Sequence, residues 1–288
     1  MQISKTIFVT GATGHQGGAV ARNLIRQGFH VKALTRNVSS AGAEKLRSQN
    51  IEIIQGDLND PKTYKEHLKG IDGIFCALTF ENGIEKEISQ GIGLADLAKE
   101  YHIDQFIYSS GVGTDLHTGI PHWESKFKIE NHIKGLNMPY TIIRPSSFYE
   151  NFLIPQVKSR LLKGKLVTPA NKDKVQQFIS TEDVGKIAVS VFINPGKYLR
   201  KTISIAATQM SMENVAEIFS ASWNKKVTYQ KLPGLITRLA MGKNLYKMFR
   251  WVNNHDAIFI KDLDASEKEF PGLLDLEQWI NLYFKKDS

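Results

Sequence analysis

The chain of 288 residues has a single cysteine, Cys76, set in the apolar run "GIFCAL". That excludes a disulfide framework within one chain, a zinc cluster and a CxxC redox pair, and it fits a reducing compartment. No metal site is expected. There is no uncharged apolar run near the ~20 residues a membrane helix needs. "MQISKTIFVTGATG" enters a strand and a glycine turn at once, without the basic, apolar and cleavage segments of a signal peptide. The expectation is a cytoplasmic protein with no membrane partner. Acid is scarce in one place: residues 225–250, "KKVTYQKLPGLITRLAMGKNLYKMFR", carry seven Lys and Arg and no Asp or Glu. A solvated helix face is the preferred reading of that stretch over a partner or membrane patch. Leu235, Ile236, Leu239, Met248 and Phe249 equally suit the core of a lobe.

With 42% hydrophobic and 23% charged residues, the composition is that of an ordinary globular chain. The net charge of +8 and pI near 9.3 suit an anionic ligand such as a dinucleotide. Nucleic acid has only that charge behind it and is not the expected partner.

The first half alternates between strand and helix patterns. "KTIFVT" reads as a strand, "GGAVARNLIRQG" as a helix ending at Gly28, and "HVKALT" as a second strand. Then come strand 51–55, a short helix near 61–68 opened by Asp60 and Pro61, and strand 73–78. A longer helix carries Ile84, Ile88, Ile92 and Ala95, and strand 105–110 follows. Such alternation predicts an α/β fold, a doubly wound parallel Rossmann sheet with its ligand beyond the carboxyl ends of the strands. After a helix at 122–135 and strand 140–145 the pattern loosens. "SSFYENFLIPQVKSRLLKGK" reads as a helix, and "FISTEDVGKIAVSVFI" as a short strand and helix; "KTISIA", "SMENVAEIFSASW" and "KKVTYQ" add a strand, a helix and a strand. The expected organisation is a Rossmann domain over 1–150 and a smaller α/β C-terminal substrate lobe over 151–288, interleaved with it and without a linker.

Gly11, Gly14 and Gly17 have the Gly-x-x-Gly-x-x-Gly spacing between a clear strand and a clear helix. The first permits the tight turn, the second lets backbone approach a pyrophosphate, and the third lets the helix pack closely on the sheet. At the end of the second strand, where a carboxylate would bind the ribose of NAD, stands Arg36, which suits the 2′-phosphate of NADP with help from Thr35, Asn37 and Ser39 or Ser40. Asp57 is placed to accept from the adenine amino group with Leu58 against the ring, while Asp60 is the better helix cap. Ala77, Leu78 and Thr79 would line the middle of the cofactor.

Together "VTGATGHQGGAVARNLI", "LTRN", "QGDLND", "HWESKFKIE", "PYTIIRPSSFYENF" and "STEDVGKIA" resemble the NmrA-like group of atypical short-chain dehydrogenase/reductases. The matches thin beyond about residue 220. The resemblance implies an NADP(H) site in which the glycine turn, with Thr13, His15 and Gln16 inside it, and Arg36 hold the adenosine phosphates, and Lys126 holds the nicotinamide ribose. It also implies that Phe148, Tyr149, Glu150 and Asn151 close over the nicotinamide end, with Asn151 as polar contact and Tyr149 as wall. The group includes both NADP(H)-binding regulators and reductases of quinones, azo dyes and triphenylmethane dyes.

A Tyr-x-x-x-Lys reductase uses the tyrosine as acid and the lysine to lower its pKa and anchor the ribose. Here only the lysine remains, and His122 stands four residues before Lys126 on the same helix face. At a helix start beside a lysine its neutral, hydrogen-bonding form is favoured. The candidate catalytic residues are therefore Lys126, His122 and Ser110, the last with Ser109 at the position of a carbonyl-orienting serine. A pocket-wall or capping role for His122 and strand-end hydrogen bonding for the serines remain as alternatives. Two functions stay open: an NADP(H)-dependent oxidoreductase reducing a quinone-like or conjugated small-molecule acceptor, or a non-catalytic redox sensor acting on a protein partner. Homodimer formation is undecided.

Overall fold

The computed structural model describes residues 5–284. Along the chain lie β1 (Thr6–Val9), α1 (His15–Arg26), β2 (His30–Thr35), α2 (Ala41–Arg47), β3 (Glu52–Gln55), β4 (Gly73–Ala77), α3 (Ile84–Glu100), β5 (Gln105–Ser109), α4 (Pro121–Gly135) and β6 (Tyr140–Pro145). Next come β7 (Ser147–Phe148), α5 (Pro155–Leu162), β8 (Lys165–Thr168), β9 (Val175–Ile179), α6 (Thr181–Ile193), α7 (Pro195–Tyr198) and β10 (Lys201–Ile205). β11 (Thr208–Ser211), α8 (Met212–Trp223), β12 (Thr228–Lys231), α9 (Gly234–Asn254), α10 (Leu263–Glu269) and α11 (Leu276–Tyr283) complete it.

Two compact units result: residues up to 116, 121–144 and 181–203 form the first, and 117–120, 145–180 and 204 onward the second. The first holds a sheet of order β10-β6-β5-β4-β1-β2-β3. The six strands β3, β2, β1, β4, β5 and β6 pair in parallel. Because both faces of such a sheet are covered, its central strands read as unbroken apolar runs: β4 and β5 are buried at every position. The order reverses beside β1, so the carboxyl ends of β1 and β4 flank the crevice where α/β sheets bind ligands.

A single boundary at 150 differs from this division, because residues 181–203 return to the first unit. The cause is α6, which lies against α1. A Cβ at Gly185 would come within 2.8 Å of the Ala19 carbonyl oxygen. Glu182 accepts hydrogen bonds from Asn23 Nδ2 at 3.0 Å and Arg26 Nη1 at 2.9 Å. Burial works against the Glu182 carboxylate, yet these partners and Arg22 hold its pKa below the usual value.

The second unit is built on a three-stranded sheet, β11-β9-β7, and a β12-β8 pair. Its core is aromatic, with Tyr149, Phe152, Phe178, Phe219 and Trp279 packed together.

Three local expectations change. The helix near 61–68 is a pair of 3-10 turns, Pro61–Thr63 and Lys65–Leu68; Asp60 does cap the first, accepting from the Lys62 amide at 3.2 Å. α2 is a helix the sequence reading did not include, capped by Ser40 Oγ, which accepts from the Ala43 amide. The stretch 146–165 is divided into β7, a 3-10 turn and α5, since Pro155 can begin a helix but not continue one. In α9, broken at Gly242 (φ 76°), Phe249 packs on the aromatic core and Met248 is half-buried. Leu235, Ile236 and Leu239 are exposed, so of the two readings left open for these positions the lobe core does not hold for these three.

Candidate functional site

The glycine turn is held by its neighbours before any ligand is considered. Thr10 Oγ1 donates to the Ala77 carbonyl and accepts from the Ala77 amide, both at 2.9 Å, which fixes the end of β1 to the end of β4. Gly11 has φ +65°, a conformation that a side chain disfavours. The Gly14 amide donates to the Gly11 carbonyl at 3.0 Å. A Cβ at Gly17 would sit 2.5 Å from the Gly11 carbonyl, so α1 packs on the turn at a distance only glycine allows. α1 starts with Gly14 as its N-cap, no capping side chain and no acid in its first turn. Its leading amides are therefore oriented to receive an anion.

This turn forms one end of a groove of about 650 Å³ whose lining comes wholly from the first unit. Gly11, Gly14 and Gly17, set at the Gly-x-x-Gly-x-x-Gly spacing, line it together with Thr13, His15 and Gln16, which the resemblance placed in the same turn. Arg36, exposed at the end of β2, lines it with Thr35, Asn37 and Ser40, whereas Ser39 is not part of the wall. Local bonds shape that corner: Asn37 Oδ1 accepts from the Ser39 amide, and Ser40 Oγ donates to the Asn37 carbonyl. Asp57 and Leu58 are also in the wall. Asp57 Oδ1 accepts from the Asn59 amide at 2.9 Å and Asn59 Nδ2 at 2.8 Å, and Asn59 Oδ1 in turn accepts from Gln90 Nε2 at 3.0 Å. Ala77, Leu78 and Thr79 complete the set.

Several wall residues escaped the sequence reading: Thr10, Leu34, Gly56, Glu81, Asn82 and Gln90. Glu81 and Asn82 continue the loop after β4, so a crevice beyond the strand ends was the available signal. Gln90 reaches the groove from α3, with no local pattern to mark it.

The candidate catalytic residues are outside the groove's lining. Lys126 Nζ donates to Glu87 Oε1 at 2.9 Å, and Ser125 Oγ donates to Glu87 Oε2 at 2.5 Å. Glu87 is fully buried, and Lys126 lies 5.9 Å from the centre of the Tyr108 ring. Glu87 also escaped the sequence reading, because it reads as an ordinary acid in the first turn of α3. His122 is the second residue of α4, buried, and its ring stacks on Phe80 at 4.5 Å. Phe80 directly follows the groove residue Thr79.

Ser110 is buried and donates its hydroxyl to Glu130 Oε1 at 2.6 Å. Arg144 grips the same carboxylate at both oxygens (Nε–Oε1 2.8 Å, Nη2–Oε2 2.6 Å) and extends Nη1 to Asp115 at 2.6 Å. Burial pushes the Glu130 pKa up, but Arg144 and Ser110 outweigh it and hold it below the usual carboxylate value. Ser109 accepts instead from Gln16 Nε2, which joins the glycine turn to the end of β5. Cys76 is buried and its thiol is pushed up to about 12 by burial, so it has no thiolate chemistry near neutral pH.

Phe148 to Asn151 belong to the second unit. Phe148 is half-buried and Asn151 exposed. Tyr149 is enclosed, stacked on Phe178 at 5.9 Å, with its hydroxyl bonded to Thr208. Glu150 is also buried and accepts from Trp279 Nε1 at 3.1 Å. The aromatic core claims both side chains, so Tyr149 is a packing residue of this unit rather than the open wall expected of it.

The strand order, the glycine turn and the groove define a Rossmann-type α/β protein with a groove at the switch point of its sheet. The chain belongs to the NmrA-like family, whose model matches residues 3–280. An NmrA-like family domain-containing protein of Dictyostelium discoideum is 30% identical over 79% of this chain and 80% of its own length. An NAD(P)H azoreductase of Xenophilus azovorans is 27% identical over 77% of this chain and 76% of its own. Among solved structures, NmrA, a negative transcriptional regulator in complex with NADP, superimposes with a TM-score of 0.81 at 24% identity, over 99% of this chain and 96% of that one.

Proposed function

We propose that this protein binds NADP(H) in the groove of its first unit and reduces a quinone-like or other conjugated acceptor by hydride transfer. The observation that carries the reading is the cradle at Gly11–Gly17: a turn with Gly11 at φ +65° and no room for a Cβ at Gly17, facing helix amides with no acid or capping group of their own. Arg36 at the far wall supplies a cation for a 2′-phosphate. Asp57, braced by Asn59 and Gln90, presents a carboxylate to an adenine amino group. The NADP complex of NmrA and the cofactor named for the azoreductase support a nicotinamide dinucleotide here.

When bound, the reduced nicotinamide supplies the hydride, which with one proton converts a quinone to a hydroquinone. Lys126, fixed by Glu87, is the residue for the ribose hydroxyls. His122 or Ser110 is the candidate hydrogen-bond donor to the acceptor, the Ser110 hydroxyl donating to Glu130 in the protein as it stands. The lack of tyrosine at position 122 argues for acceptors whose reduced form is delocalised and takes its proton from water. Phe148 and Asn151 remain candidates for the nicotinamide end.

A second reading, a redox sensor without turnover, is supported by the pairing of Lys126 with a buried carboxylate and by the regulator among the structural relatives. The deciding experiment follows NADPH oxidation across quinones, flavin and conjugated dyes, beside an NADPH titration. Turnover that falls in Lys126→Ala supports the enzyme and its site. Turnover unchanged in Lys126→Ala refutes the site assignment. Saturable NADPH binding without turnover, with a cofactor-dependent change in hydrodynamic size, favours the sensor.

A further inference from the structure

The charge of this protein is concentrated in one segment. Of 37 Lys and Arg residues, seven lie within 225–250, leaving 30 in the rest of the chain against 29 Asp and Glu; from 218 to 255 there is no acid at all. The net charge of +8 is thus almost wholly a property of this stretch. All seven cations are exposed. Among the described residues none of them forms an ion pair.

The first part of α9 is also turned against the ordinary rule of burial. Thr237 is 1% exposed and bonds the Pro233 carbonyl at 3.0 Å, while Leu235 is 72%, Ile236 49% and Leu239 78% exposed. At 3.6 residues per turn these three span an arc of about 100°, roughly opposite Thr237. Arg238 adjoins that arc, and Lys243 and Lys247 follow the break at Gly242. Scattered exposed aliphatic side chains need no explanation, but three adjoining ones inside this acid-free basic segment do.

We propose that this segment docks the protein on an anionic phospholipid bilayer, with Leu235, Ile236 and Leu239 entering the headgroup boundary and the surrounding Lys and Arg meeting lipid phosphates. The association is with the surface, since among the described residues no helix is long and apolar enough to cross a membrane. A polyanion such as nucleic acid uses the cations and leaves the aliphatic face without a role. A second copy sets seven cations against seven.

The test is flotation of the full chain with phosphatidylcholine vesicles, with and without phosphatidylglycerol. Binding is expected only with phosphatidylglycerol, weakened by added salt. The double variant Leu235→Ser/Leu239→Ser should bind at least about tenfold more weakly, from the lost burial of two side chains. Arg238→Glu/Lys243→Glu should fall similarly. Both pairs are exposed, and an unchanged circular dichroism spectrum shows that the fold is kept. No flotation with phosphatidylglycerol overturns the proposal. So does binding that the leucine variant leaves intact, which is the result of charge alone. A lipid-free dimer that Leu235→Ser/Leu239→Ser dissociates assigns the face to a second copy and overturns it as well.

Discussion

Glu87→Gln and Lys126→Met, made singly and together, test whether the buried pair is the device that sets Lys126. The Glu87 side chain is fully buried and that of Lys126 13% exposed, with 2.9 Å between the charged atoms. Glu87→Gln leaves the ammonium almost enclosed without its counter-charge. Lys126→Met leaves a buried carboxylate with Ser125 as its remaining hydrogen-bond donor among the groups described above. Each change should cost about 3 kcal/mol, the lower end of what breaking a buried pair costs, because Lys126 retains some water. The double variant should also cost about 3 kcal/mol, since the second change removes the unpaired charge that the first one left; the coupling is then about 3 kcal/mol. Urea unfolding of the four proteins, followed by tryptophan fluorescence, measures it. Additive costs would refute the reasoning, for they would show that the two groups do not sense each other in solution. NADPH titration of Glu87→Gln adds a functional arm: weaker binding with the fold intact is expected if the carboxylate orients the ammonium toward the ribose.

Gly17→Ala should destabilise the protein by about 1–3 kcal/mol and abolish NADPH binding, because its Cβ would meet the Gly11 carbonyl at 2.5 Å; wild-type affinity in a calorimetric titration would contradict this. Arg36→Glu should lower the preference for NADPH over NADH by at least about tenfold through loss of a charge-assisted contact, read as the ratio of the two dissociation constants. The Glu130 pKa is depressed in the folded state, so its contribution to stability is complete above the unfolded carboxylate value of about 4.3 and is lost as pH falls through the lower folded value. Removing its chief partner in Arg144→Met should move this acid loss to higher pH, seen in urea midpoints measured across the acid range; an unmoved profile would show that Arg144 does not set Glu130.

The sequence made the parallel sheet legible because each of its layers has a local signature. β4 and the centre of β5 are apolar runs since both faces of the sheet are covered, and α1 begins directly after Gly14. The groove was readable for the same reason: Gly11, Gly17 and Arg36 owe their places in its wall to backbone geometry and to their position at strand ends. What was not legible depends on contacts between distant segments. Glu87 resembles any acid in a first helical turn until Lys126 is folded onto it from α4. The enclosure of Tyr149, for which the resemblance implied a wall, depends on Phe178 and Trp279, which reach its ring from distant parts of the chain.

The exchange at position 122 ties these observations to chemistry. A tyrosine acid depends on a neighbouring ammonium whose charge is available to stabilise the phenolate. In this chain the ammonium of Lys126 is balanced by the buried carboxylate of Glu87, so a tyrosine four residues earlier would gain little from it. Histidine, stacked on Phe80 and able to donate a hydrogen bond while neutral, needs no such help. The pairing of Glu87 with Lys126 and the histidine at 122 are therefore consistent parts of one arrangement. In the function proposed above, that arrangement is the one that positions a ribose and polarises an acceptor while the final proton comes from water.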